Sequence, residues 1–123
     1  MKKLLLITAI IIFTACASEK KNNLVITQNS VTDYHIVLPE TANEDETYAA
    51  TLLQKSIYRV SGAKVPIVYD NEREHKREIC IGKTRRDTVI NPALHTINVK
   101  REKQRLFFSS SESKYTVYSV VDF

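Results

Sequence analysis

The chain has 123 residues, with 18 basic and 14 acidic side chains, a formal net charge of +4, two glycines and two cysteines. That length holds one modest domain rather than two, and two cysteines exclude a disulfide-dense scaffold. The small charge excess gives no basis for nucleic-acid binding.

Lys2 and Lys3 precede an apolar run over residues 4–13, broken only by Thr8, and Thr14, Ala15 and Cys16 follow. A basic start, a short apolar stretch and small residues before a cysteine describe a secretory signal peptide over residues 1–15. The apolar run is about half of the roughly 20 residues a helix needs to span a bilayer. The sequence FTAC resembles a bacterial lipobox, which implies cleavage before Cys16 and lipidation of its sulfur and amine, including palmitate-type acylation. Residues 16–22 then form a polar tether. Ala17 after the cysteine points to the outer membrane rather than the inner. Loss of residues 1–15 removes two lysines and no acid, leaving a net charge of +2.

Residues 23–28 (NLVITQ) and 33–38 (DYHIVL) read as two short strands around Asn29 and Ser30. Asn43, followed three residues later by Glu46, starts a helix that runs to about residue 61. Ala49, Leu52, Leu53, Ile57 and Val60 form its apolar stripe, and Gly62 ends it. Residues 64–69 (KVPIVY) read as a strand carrying Pro66 near its start or on an edge. The block Glu72 to Glu78 mixes both charges and reads as a solvated turn. Residues 78–82 (EICIG) form a short apolar strand, with Cys80 a buried small hydrophobe. Residues 94–100 and 105–109 form a hairpin candidate, and residues 114–123 (KYTVYSVVDF) open a helix. The expectation is an α+β fold: an open mixed or antiparallel sheet of five to six strands, one main helix (about 43–61) on one face and a short C-terminal helix.

Glycoside hydrolysis needs two carboxyl groups flanking the bond on rigid elements. The acids of this chain fall around the helix start, in the charged turn and in loops, so no catalytic residue is assigned. His35, His75 and His95 have no ligand spacing, so no metal or cofactor is expected. The basic stretch Lys83, Arg85 and Arg86 could meet an anionic sugar, and Tyr115 and Tyr118 could stack on a sugar ring. Solvated surface and amphipathic boundary positions account for the same residues more simply.

Several segments resemble, in order, the N-terminal non-catalytic domain that precedes the barrel of alpha-glucuronidases, bacterial beta-hexosaminidases and related secreted carbohydrate-active lipoproteins. Ala50, Leu53, Ile57, Ser61 and Gly62 match its helix, Pro66 and Ile67 the following strand, and Glu78, Ile79, Ile81 and Gly82 its E-I-x-I-G strand. Tyr115, Val117, Tyr118 and Phe123 are degraded matches to its closing helix. The resemblance covers residues 23–123 and implies a non-catalytic accessory domain supporting or docking a glycoside hydrolase barrel that is missing here, the closing helix being cut short. The chain departs from the pattern where serines replace the glycines before that helix. The alternative is a small, surface-anchored carbohydrate-binding lipoprotein.

Overall fold

The computed structural model describes residues 23–86 and 97–121. Cys16, Asp87, His95 and Phe123 lie outside them, as do residues 1–22, expected from the sequence to hold a signal peptide and a tether. No helix among the described residues is long and apolar enough to cross a membrane.

Among the described residues seven elements follow one another: β1 (His35–Leu38), α1 (Glu44–Ser61), β2 (Ile67–Tyr69), β3 (Glu78–Ile81), β4 (Ile97–Glu102), β5 (Arg105–Ser110) and α2 (Ser113–Val121). The five strands form one mixed sheet in the order β2-β1-β3-β5-β4. β1 pairs in parallel with β2 and β3, β3 pairs in parallel with β5, and the β4–β5 hairpin is antiparallel. The fold is α+β, as expected, with one long helix and one short C-terminal one.

α1 forms where its caps require. The Asn43 side chain accepts from the Glu46 backbone N–H at 2.9 Å, satisfying one of the orphan donors of the first turn. Glu44, Asp45 and Glu46 suit the positive end of the helix dipole, and Arg59 suits the other end. Gly62 closes the helix at φ 74°, where its N–H donates to the Tyr58 carbonyl.

Strand alternation sends Ile36, Leu38, Ile79, Ile81, Leu106 and Phe108 to one face, where they pack with Ala49, Ala50 and Leu53 of α1 and Val120 of α2. Val37, Cys80 and Phe107 make a second buried cluster on the opposite face, with Val68 against it. The sheet is therefore not simply helix-covered on one side and wet on the other. Cys80 is a free buried thiol, and its pKa is pushed up to about 12, chiefly by burial and then by the neighbouring Glu78 carboxylate.

The first strand and the end of the α1 stripe differ from the sequence expectation. Residues 23–28 do not form a strand. Gln28 and Val31 exchange backbone hydrogen bonds across Asn29 and Ser30, both with positive φ, but the ladder goes no further. Thr32 intervenes, its hydroxyl donating to the Ile26 carbonyl at 2.6 Å and accepting from the Tyr34 N–H at 3.1 Å. The second change is at Val60, which is 89% exposed rather than part of the core stripe. The buried positions of α1 are Ala49, Ala50 and Leu53, with Ile57 packed beside them, and Tyr58, Arg59 and Val60 in the last turn are exposed.

Candidate docking surface

α1 and α2 lie side by side on the same sheet face, and their C-terminal halves leave a groove of about 590 Å³ between them and the N-terminal segment. Leu52, Ile57 and Val60 from α1, Val120 and Val121 from α2, and Ile26 from the N-terminal segment line it. Among the described residues, only Thr27, Ser56 and Ser61 add polar side chains to the lining. Val121 is 60% exposed and Tyr118, on the same helix, 56%. Val60 and Val121 are thus large apolar side chains held in water at the mouth of a concave apolar surface, a combination that marks interaction sites. Sequence periodicity assigned Val60 inward because it counts spacing along a helix and carries no information on where the covering element ends.

The expected ligand residues do not line this groove and fall into two separate groups. Lys83, Arg85 and Arg86 occupy the turn after β3, whereas Tyr115 and Tyr118 lie on α2 with ring centroids 6.2 Å apart. The Arg85 guanidinium reaches Glu40 at 2.7 Å, and its backbone N–H donates to Asp70. Lys83 remains exposed at the surface. Arg86 is not part of a basic surface patch. It is buried, with Nε on the Glu78 carboxylate and its two terminal nitrogens donating to the Asp70 and Glu72 carbonyls at 2.7 and 2.9 Å.

Glu78 also departs from the solvated turn expected of its block. It has no solvent exposure and accepts from the His75 backbone N–H at 2.8 Å, and Arg105 approaches its other oxygen at 3.2 Å. Its carboxylate is fully engaged by two guanidiniums and an amide, the arrangement a buried charge requires. Arg105 also binds Glu74 at 2.9 Å, an interaction that holds the Arg105 pKa up and the Glu74 pKa down. His75, expected in solvent, stacks on His35 with centroids 3.6 Å apart and planes 8° apart. The turn over residues 70–77 is strapped to the sheet by these contacts.

Parallel sheets bind ligands at the carboxyl ends of adjacent strands whose connections run in opposite directions. Here those strands are β1 and β3, since the chain leaves β1 for β2 on one side and returns to β3 on the other. Protein fills the position. A Cβ on Gly82, at φ 81°, would stand 2.8 Å from the Glu46 carboxyl carbon. Asp70, itself buried, ties the Glu40 and Arg85 backbones together at 2.8 and 2.9 Å. Burial, and then Asp45, pushes the Glu46 pKa up against the opposing pull of Lys83. No group of three or more potential metal ligands occurs among the described residues.

A second concavity, of about 530 Å³, lies along the N-terminal turn, where Asn23, Gln28, Asn29 and Gln104 present carboxamides beside Asp33 and Arg77. None of the residues selected from sequence as ligand candidates lines it. No family model matches the chain, and no curated protein does.

Proposed function

We propose that this chain is a non-catalytic accessory module of a carbohydrate-active lipoprotein, anchored to the outer membrane through Cys16, whose α1–α2 groove docks a glycoside hydrolase barrel. The exposed apolar mouth formed by Val60 and Val121 carries the reading. It supplies a surface that a catalytic domain could cover, while the buried acids Glu78 and Asp70 are committed to structural bonds. Val121 is both the last residue of α2 and a lining residue of the groove. The order of segments resembling the accessory domains of alpha-glucuronidases and beta-hexosaminidases supports a barrel as the occupant.

A barrel of that class, produced without its own N-terminal domain, can be titrated with the full chain by calorimetry. The proposal expects binding that the Val60→Asp, Val121→Asp double variant weakens at least about tenfold, the effect of burying uncompensated charge in an apolar contact. Equal binding by the variant would remove the groove from the account.

The second reading is a small glycan-binding lipoprotein, favoured by the polar cleft at Asn23, Gln28, Asn29, Asp33, Arg77 and Gln104. Oligosaccharide-dependent chemical shifts confined to those residues would select it.

A further inference from the structure

The two outer strands of the sheet differ. β2 has three residues and follows directly on Pro66, so it offers a short edge blunted by a residue without an N–H. β4 has six residues, and among the described residues it pairs with β5 alone. Alternate N–H and C=O groups of such a strand point away from the sheet and can template another strand.

Lysines on an edge usually guard it. In β4 the cations are turned back on their own protomer. Lys100 Nζ lies 3.4 Å from Glu102 and 5.7 Å from the centroid of the Phe107 ring, and Arg101 Nε donates to the Lys103 carbonyl at 3.3 Å. On the helix-bearing face, Ile97 and Val99 are 43% and 52% exposed although they belong to a regular strand.

We infer that β4 is a self-association edge, pairing antiparallel with β4 of a second copy about a two-fold axis at Val99. The residue pattern of β4 suits a second copy of itself at one register. A two-fold normal to the sheet at residue 99 places Val99 opposite Val99 of the second copy, Ile97 opposite Arg101, and Asn98 opposite Lys100. No like charges face each other, and a valine pair occupies the centre. Centring on Lys100 or Arg101 would put each cation opposite itself. Centring on Asn98 would leave only three residues of β4 overlapping. The Val99 register alone keeps five residues paired without like-charge opposition, and it joins two five-stranded sheets into one with the helices of both copies on the same side.

Sedimentation of the full chain carrying Cys16→Ser tests the inference, because the one remaining thiol, Cys80, is buried. Concentration-dependent dimerisation is expected. Val99→Lys, which sets two ammonium groups face to face at the axis, is expected to weaken it about tenfold or more. In the same background Val99→Cys is expected to form a disulfide-linked dimer under mild oxidation, whereas Ile97→Cys, displaced from its own copy across the axis, links far more slowly. A monomer at every soluble concentration, or cross-linking of Ile97→Cys as fast as Val99→Cys, would overturn the proposal. A dimer through β4 pairs no residue that lines the α1–α2 groove, so failure here is distinguishable from failure of the docking reading.

Discussion

Glu78 and Arg86, eight residues apart across the turn after β3, form an ion pair with 0% and 4% side-chain exposure and an Nε to Oε2 distance of 3.2 Å. Deleting one partner of such a pair leaves an uncompensated buried charge, which typically costs about 3–5 kcal/mol. Arg105 still contacts Glu78, so Arg86→Leu is expected near the lower end, about 3 kcal/mol, measured by urea unfolding. The Glu78→Leu, Arg86→Leu double variant should recover part of that loss. An unchanged midpoint for Arg86→Leu would mean that the pair is not buried in solution.

The His35–His75 stack makes stability depend on pH. Burial, and then the charge of His75, holds the His35 pKa below its ordinary value, against weaker opposing effects of Asp33 and Glu78, with Arg73 adding to the depression. A depressed folded-state pKa means that the unfolded chain takes up the proton first. The contribution is complete above the unfolded value of about 6.5 and is lost as pH falls from there through the folded value. Urea midpoints at pH 7.5 and 5.5 should therefore diverge more in the parent chain than in His35→Gln. Equal slopes in the two proteins would contradict the assignment.

Tyr34 is fully buried, and its hydroxyl has no hydrogen-bond partner among the described residues. A buried unsatisfied hydroxyl contributes nothing to offset its desolvation, so Tyr34→Phe is expected to be neutral or to stabilise by up to about 1 kcal/mol. Thermal unfolding measures this, and a clear loss would reveal a bound water on the hydroxyl.

At Gly82, positive φ and the Glu46 side chain act together. Gly82→Ala is expected to destabilise by about 2 kcal/mol, from left-handed strain and from the close approach of the new methyl to the Glu46 carboxyl. Glu46→Ala should relieve only the second part, which a double-mutant cycle separates.

Local features of this fold were legible in the sequence, and contacts between distant segments were not. Asn43 with Glu46 and Gly62 marked both ends of α1 because capping is decided within four residues. The β4–β5 hairpin was legible because its strands are joined by a short polar turn. The parallel pairing of β1, β3 and β5 joins residues far apart in the chain, and alternation specifies a face without specifying a neighbour. The same limit hid the His35–His75 stack, the burial of Glu78 and the use of Arg86 as an internal bracket. A charged block reads as solvated until another block is folded against it. For the docking surface, Leu52, Ile57 and Val60 were legible as one apolar stripe, but Val60 lies at the groove mouth instead of in the core.

Amide hydrogen exchange on the full chain, alone, with neutral and acidic oligosaccharides, and with an isolated barrel of the resembled class, tests the central claim most directly. The account predicts slow exchange in β1, β3 and the middle of α1, rapid exchange at the end of α2, no response to any sugar, and new protection around Ser56 to Ser61 and Val117 to Val121 when the barrel is added. Sugar-dependent protection at Lys83 to Arg86 or along Asn23 to Asp33, with no effect of the barrel on α1 or α2, would contradict it and identify a glycan-binding protein.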